Sequence, residues 1–248
     1  MISLIFQLLV LMRIFRPSES YCNINKEKSK LCCRDINLIL DYHNERRNLV
    51  AGGKTNLEQA KDMWVLKWNR ELAKVAQEYA NKCTRRNNLG LPVYIGENIA
   101  WFGSSENYMA DMKELIGGWY EEINDFKQNG SGVQHVTQMI WADTKYIGCG
   151  VIFYDDGKNS RKRYQTLLVC NYQPVGDINE QLPYKKFDDI RCSRGVQSEI
   201  YTSLCAHDEN HANGTYRPRC NKNLFRHNKS FKLRPTAISL LIFLILSL

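Results

Sequence analysis

Two histidines towards the C-terminal end of the chain have a spacing that suits metal binding. In "CAHDENH", His207 and His211 lie four residues apart, which on a helix places both imidazoles on one face, and Cys205 and Cys220 lie nearby. Imidazole nitrogen and thiolate sulfur are ligands that zinc prefers. Nine cysteines in 248 residues, however, indicate an oxidising compartment in which cysteines form disulfides. We therefore expect disulfides rather than a metal site in this segment.

His135 opens a second candidate stretch, "VQHVTQMIWADTKYIGCGVIFY" (residues 133–154), in which a polar histidine precedes an apolar segment. A catalytic histidine needs a nucleophile or an activated water beside it. The sequence offers neither a nucleophile-elbow serine nor an HExxH helix. His43, in "YHNERR", is a third candidate, but it lies on an apolar stripe with helical spacing, so we expect it to be buried and hydrogen-bonded.

Three segments with apolar residues at helical spacing are predicted to be helices that position these side chains. The first, residues 34–50, is followed by Gly52-Gly53, and the second, residues 69–83, begins with Asn69, a favourable N-cap residue. The third, residues 106–126, contains Gly117-Gly118, which indicates close packing or a kink. The stripes are Ile36, Ile39, Leu40, His43, Arg47 and Val50; Leu72, Val75, Ala76, Tyr79 and Cys83; and Tyr108, Met112, Leu115, Trp119, Ile123 and Phe126.

Two strands follow the helices, at residues 145–154 and 163–173, and the loop "DDGKNSRK" between them has the composition of a hairpin turn. Helices combined with strands in this order predict an α+β domain, arranged as a three-layer α-β-α sandwich.

The two ends of the chain are predicted to be processed. Residues 1–20 contain "MISLIFQLLVLM" and end in small residues, as a signal peptide does. An uncleaved anchor is the alternative, but roughly eleven apolar residues are too few to span a bilayer. Residues 225–248 are a basic segment followed by "AISLLIFLILSL", which resembles a glycosylphosphatidylinositol (GPI) attachment signal, with Asn228 or Asn221 as the attachment site. The competing interpretation is an apolar end buried against the protein itself.

Charge and cysteine content separate the rest of the chain into an arm, a domain and an extension. Residues 21–33 form a polar arm with three cysteines, and residues 179–224 form an extension that carries Cys192, Cys205 and Cys220. The net charge of +8 is concentrated towards the C-terminus, since seven basic residues and no acidic one lie between Tyr216 and Pro235. The main domain is nearly neutral, so a basic groove for nucleic acid is not indicated.

Several motifs in the central part of the chain resemble those of one family. "QHVTQMIWADTKYIGCG" followed by "LLVCNYQPVGDI" is similar to the two signature motifs of the CAP superfamily, which comprises cysteine-rich secretory proteins, insect antigen 5 and plant pathogenesis-related proteins. "LDYHNERRNLVAGG", "LKWNRELAKVAQEYANKC", "IGENIAW" and "GGWYEEINDF" occur in the family's order, so the resemblance covers residues 34–178. The "YC" soon after the signal segment resembles the antigen 5 branch of venom and salivary proteins.

The resemblance implies an α-β-α sandwich with a central cleft, where many members place two histidines and two glutamates that can hold a divalent metal. Glu97, Glu122 and His135 match three of these positions. Asn87 stands where the fourth, a histidine, is expected. Because a carboxamide replaces an imidazole ligand, we expect no resident metal or other cofactor. His135 is then expected to cap the following helix and to hydrogen-bond Glu97 or Glu122.

The resemblance also implies that Cys149 pairs with Cys170. Cys83 is expected to pair with Cys32 or Cys33, and two of the three cysteines of the extension with each other. An odd count leaves one thiol over, so we expect a monomer with one route to a disulfide-linked dimer. Three sequons, at Asn129, Asn213 and Asn228, suit a glycosylated secreted surface.

Three functions follow from these expectations. The first is a non-enzymatic extracellular protein that binds a sterol or fatty acid, or a protein partner, as members of the family do. The second is a metal-dependent hydrolase that uses Glu97, Glu122 and His135 for acid–base chemistry. The third is a cell-surface interaction module attached to the membrane through its C-terminus.

Overall fold

The computed structural model describes residues 23–126, 133–157, 161–176, 181–209 and Pro218. These residues belong to one compact unit, Met1–Pro218. The predicted signal peptide 1–20, the C-terminal segment 225–248 and all three sequons lie outside the described residues. His211 and Cys220, which belong to the first candidate metal site, also lie outside them.

The described residues form four α-helices, of which the first has the predicted extent and the second begins as predicted but ends at Ala80, three residues before the predicted end. Asn69 caps the second helix as expected, since its Oδ1 accepts hydrogen bonds from the backbone N–H groups of Glu71 and Leu72 at 2.9 and 3.0 Å. The helices are α1 (Cys33–Ala51), α2 (Arg70–Ala80), α3 (Met112–Glu121) and α4 (Gln134–Met139), and a 3₁₀ turn (Glu122–Asn124) follows α3.

The third helix is shorter than the predicted span 106–126, because α3 begins only at Met112. Two hydrogen bonds set its beginning. Asp111 Oδ1 accepts from the backbone N–H of Lys113 at 2.8 Å and so caps the helix. The N–H of Ala110 donates to Thr166 Oγ1 at 3.0 Å, which ties the preceding segment to the sheet instead of to a helix.

The central sheet has five strands in the order β1-β5-β6-β4, and β3 pairs with β5 in parallel. The two predicted strands are confirmed as β5 and β6, which pair antiparallel. The sequence pattern did not assign β4, which lies at one edge and pairs antiparallel with β6. The strands are β1 (Asn23–Ile24), β2 (Ala60–Lys61), β3 (Lys67–Trp68), β4 (Gly96–Ser104), β5 (Tyr146–Asp155), β6 (Tyr164–Gln173), β7 (Lys185–Lys186), β8 (Val196–Gln197) and β9 (Cys205–Ala206).

Helices cover both faces of this sheet, which gives the three-layer α-β-α sandwich. On one face α2 packs against alternate residues of β5 and β6, including Ile152, Leu167 and Val169. On the other face α1, α3 and α4 enclose a larger core. The extension contributes to that core, because Tyr201 and Leu204 are buried in it.

Glycines in β5 allow α2 to approach the sheet closely. A Cβ at Gly148 would overlap the backbone of Asn69 and Ala73, and a Cβ at Gly150 would overlap the backbone of Gln77. The "GCG" of β5 therefore places two glycines against the helix and Cys149 on the opposite face.

Candidate functional site

The structure brings together two of the four cleft positions, Glu122 and His135. Glu122 begins the 3₁₀ turn after α3, and His135 lies in the first turn of α4. The Nδ1–H of His135 donates to Glu122 Oε1 at 2.6 Å. Glu122 Oε2 accepts from the backbone N–H groups of His135 at 3.0 Å and Val136 at 3.2 Å.

Glu122, not His135, therefore caps α4. The expected capping role for His135 was wrong, because His135 lies within the helix and the N-cap residue, Val133, offers no side-chain acceptor. A carboxylate is the better acceptor for free N–H groups at a helix start, where it also meets the positive end of the helix dipole. The expected hydrogen bond between His135 and Glu122 is present.

Trp119 and Asn98 hold His135 from two further directions. The rings of Trp119 and His135 stack at 6.1 Å between centroids and 11° between planes. Trp119 Nε1–H donates to the carbonyl of Ile99 at 3.2 Å. The side-chain N–H of Asn98 donates to the carbonyl of His135 at 3.1 Å. His135 is thus part of a fixed wall built from α3, β4 and α4.

Glu97 lies apart from this pair. Its Oε1 accepts from the backbone N–H of Asn88 at 2.7 Å, and its Oε2 is buried with no hydrogen-bond partner among the described residues. Because side chains alternate along a strand, Glu97 and Asn98 face opposite sides of β4, and only Asn98 reaches His135. Burial raises the pKa of Glu97, and the hydrogen bond from Asn88 only partly offsets this effect.

Asn171 adds a second unsatisfied side chain beside Glu97. The two residues are direct cross-strand neighbours in the β4–β6 ladder. Asn171 is fully buried, yet neither its Nδ2 nor its Oδ1 has a partner among the described residues. Buried polar atoms without partners cost free energy, so this corner of the sheet is destabilising.

The donor set does not fit a metal ion. Asn87, at the expected histidine position, is exposed in the loop between α2 and β4. Both oxygens of Glu122 already accept hydrogen bonds. Among the residues that the structure describes, no three His, Cys, Asp or Glu side chains are grouped so that they could hold a metal.

His43 belongs to a buried network behind the wall. Its Nδ1–H donates to the carbonyl of Ile39 at 2.8 Å, so its Nε2 accepts from the hydroxyl of Tyr172 at 2.9 Å. The same hydroxyl accepts from Asn98 Nδ2 at 3.4 Å. Burial lowers the pKa of His43 to about 4, so the imidazole is neutral at physiological pH. His43 therefore has the structural role that its position on the stripe predicts.

Arg47, one turn further along α1, fixes the segment that follows α4. Its guanidinium is fully buried, and among the described residues no carboxylate forms an ion pair with it. Burial lowers the pKa of Arg47 to about 9, so it remains charged at neutral pH. It donates hydrogen bonds at 2.7–3.3 Å to the backbone carbonyls of Trp64, Met139, Trp141, Ala142 and Thr144.

Asn98, Tyr172 and Trp119 were not predicted to be site residues. The sequence did contain an indication for Trp119, because this residue lies on the predicted apolar stripe of the third helix. Asn98 carried one too, since an asparagine between Glu97 and an apolar run is unusual for a buried strand. Tyr172 shows no such signal, because tyrosine is common in strands.

All the described cysteines except Cys32 form disulfides. Cys149 bonds Cys170 across β5 and β6, the pair implied by the resemblance, and Cys192 bonds Cys205 within the extension. Cys33 and Cys83 are each disulfide-bonded. Cys32 is an exposed free thiol, which excludes it as the partner expected for Cys83.

The segment that contains Cys205 and His207 does not have the arrangement of a metal site that the spacing of its histidines suggested. Cys205 is engaged in its disulfide, and the ring of His207 stacks on Trp64 with 4.4 Å between centroids. The segment therefore packs against the domain.

Comparisons with known proteins identify the family. The sequence profile of the cysteine-rich secretory protein family (CAP) matches residues 40–172. Venom allergen 5 of Polistes fuscatus is 40% identical over 168 residues, which cover 60% of this chain and 78% of the relative. Venom allergen 5 of Dolichovespula arenaria is 36% identical over 186 residues, which cover 68% and 85%. The solved structure of BmVAL-1 matches with a TM-score of 0.61 at 26% identity, covering 72% of this chain and 96% of that one. The chain belongs to the cysteine-rich secretory protein (CAP) family.

Proposed function

We propose that this chain is an extracellular, non-enzymatic binding protein of the venom-allergen type, which binds a small hydrophobic ligand such as a sterol or fatty acid, or a protein partner. The observation that carries the proposal is the engagement of Glu122. Its carboxylate accepts hydrogen bonds from the ring of His135 and from two backbone N–H groups. A carboxylate held in this way stabilises α4 and is not available to transfer a substrate proton.

Two further facts support a binding role. Proteins of this family are generally not enzymes. The donors left over at the cleft positions are His135 Nε2 and Glu97 Oε2, while zinc prefers several nitrogen or thiolate ligands. The proposal therefore includes no resident metal and no other cofactor.

Native mass spectrometry of the protein secreted from eukaryotic cells, with the apolar tail 237–248 deleted, tests this proposal. We expect a sterol or fatty acid to co-purify, with no zinc. If the purified protein carries no lipid but captures an extracellular protein, the ligand is a protein partner and not a sterol or fatty acid. Stoichiometric zinc that is lost in the variant His135→Ala would overturn the proposal.

A hydrolase that uses Glu97, Glu122 and His135 is the second candidate, and one observation favours it. Glu97 is partly buried, has a raised pKa and keeps one oxygen unpaired, which are properties of a general acid. Hydrolysis by the unaltered protein that is abolished in Glu97→Gln would establish this function. Activity that appears only in Asn87→His, and only with added metal, would instead show that the cleft has lost its chemistry through residue 87.

Secretion and surface attachment form the next part of the proposal. The venom allergens among the relatives are secreted proteins. No helix within the described residues is long and apolar enough to cross a membrane. The segment 225–248 is proposed to direct attachment of a GPI anchor. Release of the protein from cells by a phosphatidylinositol-specific phospholipase is the expected result, and complete secretion into the medium would exclude the anchor.

The protein is proposed to act as a monomer, with Cys32, the free cysteine among the described residues, as a route to a covalent dimer. Cys32 is an exposed free thiol at the start of α1. A non-reducing gel of the secreted protein should show mainly the monomer. Any dimer band should disappear in Cys32→Ser, and a band that persists there would show that another cysteine links the chains.

A further inference from the structure

The loop that joins α2 to β4 displays apolar side chains at the surface. Leu89 is 98% exposed, Val93 is 93% exposed and Tyr94 is 55% exposed. Leu89 and Val93 are the two most exposed large apolar side chains among the described residues. Single exposed apolar residues are common on protein surfaces, but three in six consecutive positions indicate a contact surface.

Hydrogen bonds hold the backbone of this loop, residues 84–95, on both sides of its tip. The hydroxyl of Tyr79 donates to the carbonyl of Arg86 at 2.7 Å. The N–H of Asn88 donates to Glu97 Oε1 at 2.7 Å. The N–H of Val175 donates to the carbonyl of Tyr94 at 2.9 Å. Because the backbone is anchored in this way, the tip presents its side chains in one arrangement.

Basic side chains belong to the same loop as the apolar tip. Arg85 and Arg86 are exposed and precede Leu89 by a few residues. The guanidinium of Arg85 lies 3.6 Å from the ring centre of Trp101 and donates to Gln165 Oε1 at 3.1 Å. The ammonium of Lys162 lies 4.9 Å from the same ring. Residues 84–95 contain Arg85 and Arg86 and no acidic residue, so the loop itself carries positive charge.

We propose that loop 84–95 docks on an anionic lipid surface, inserting Leu89, Val93 and Tyr94 among the headgroups while Arg86 contacts lipid phosphates. Aliphatic side chains gain free energy when they leave water, and tyrosine is favoured at the boundary between headgroups and acyl chains. Guanidinium groups pair well with phosphate, and basic residues are attracted to an anionic membrane surface.

The size of the tip favours a lipid surface over a protein partner. A stable protein interface buries about 800 Å² on each side, with a closely packed apolar centre. A projecting tip of three apolar side chains is too small to form such a centre. A shallow insertion needs only a few apolar residues with positive charge around them.

Vesicle co-sedimentation of the full secreted chain tests the proposal. The vesicles contain phosphatidylcholine and phosphatidylserine in equal parts, with pure phosphatidylcholine as the comparison. The double variant Leu89→Ser/Val93→Ser should lose about tenfold or more in partition coefficient. The matched control is Leu182→Ser/Ile190→Ser, which removes two apolar side chains that are 53% and 59% exposed elsewhere. This control should bind like the unaltered protein.

Two further measurements separate insertion from simple charge attraction. Arg86→Glu and added salt should each weaken binding to the mixed vesicles, because both reduce the attraction between basic residues and anionic lipid. In Tyr94→Trp, brominated lipids should quench a fluorescence component that the unaltered protein lacks.

Equal binding by the tip variant and its control would overturn the proposal, since the C-terminal tail is the same in both. An unaltered protein that ignores vesicles, or that uses this loop to bind a protein instead, would overturn it as well. Unchanged melting temperatures of all variants ensure that a loss of binding reports on the loop and not on the fold.

Discussion

The two glutamates of the cleft have opposite surroundings. Glu122 has both oxygens engaged, and its partner His135 is held by a stacked tryptophan and a buried asparagine. Glu97, on the other face of β4, accepts one hydrogen bond and lies beside Asn171, whose amide has no partner among the described residues. The first region stabilises the fold, while the second has polar atoms whose burial costs free energy. Matching a family motif therefore does not give its residues the same physical role.

The largest effect is expected at Arg47, which supports the region of Glu122 and His135, where the polar groups are hydrogen-bonded. Arg47→Met removes the hydrogen bonds that hold the carbonyls of Met139 and Trp141, so buried acceptors lose their partners. We expect a loss of about 4 kcal/mol in the free energy of unfolding, measured by urea denaturation. Arg47→Lys keeps the charge but not the planar fork, so its loss should be smaller. A change below 1 kcal/mol in Arg47→Met would contradict the assigned role.

The network behind the wall should make stability depend on pH. The folded-state pKa of His43 is lowered to about 4 from 6.5, so the unfolded chain binds more protons between these values. The contribution of His43 is fully present above pH 6.5 and is lost as the pH falls through 4, by about 3 kcal/mol in total. Urea midpoints across this range should show a steeper pH dependence for the unaltered protein than for His43→Gln. Identical slopes would show that His43 is not buried in its neutral form.

A matched pair of asparagines compares the two faces of the sheet directly. Asn98 and Asn171 are both buried in neighbouring strands, but only Asn98 is hydrogen-bonded. Asn98→Leu should cost about 1–3 kcal/mol, because the carbonyl of His135 loses its donor. Asn171→Leu, of similar shape, should leave the free energy of unfolding unchanged or raise it by about 1 kcal/mol. Equal losses in the two variants would mean that Asn171 has a partner in solution.

The smallest effect is expected at Glu97, with a pH dependence opposite in sign to that of His43. Burial raises the folded-state pKa of Glu97, so the folded protein holds its proton more tightly than the unfolded chain. The contribution of Glu97 to the free energy of unfolding is present below the ordinary pKa of glutamate, about 4.3. It is lost as the pH rises through the folded-state pKa of Glu97. The stability difference between Glu97→Gln and the unaltered protein should therefore grow in favour of the variant as the pH rises. A constant difference would indicate a fully hydrated carboxylate.

Local signals predicted the scaffold better than the site. The spacing of apolar residues placed α1 and α2, and Asn69 marked the start of α2, because these features depend on neighbours along the chain. The beginning of α3 was predicted too early, since it depends on a hydrogen bond between Ala110 and Thr166, which is distant in sequence. The same limit applies to Glu97, because only the folded loop brings the N–H of Asn88 to its carboxylate.

The family resemblance identified the residues of the cleft, but it did not predict their roles. The meeting of Glu122 and His135 was anticipated on that basis. The assignment of the cap to Glu122 was not, because it depends on where α4 begins relative to the 3₁₀ turn. Asn87 was predicted to depart from the family pattern, and the structure adds that its side chain is exposed.

Trp119 also contacts the edge strand of the main sheet. Strand β4 lies at the edge of the main sheet, and its outward backbone groups would ordinarily offer a template for a strand from another molecule. The indole N–H of Trp119 occupies the carbonyl of Ile99 in the middle of that strand. An incoming chain would have to break this bond and displace a ring packed against His135. The tryptophan that forms the cleft wall thus also occupies a backbone acceptor of the edge strand.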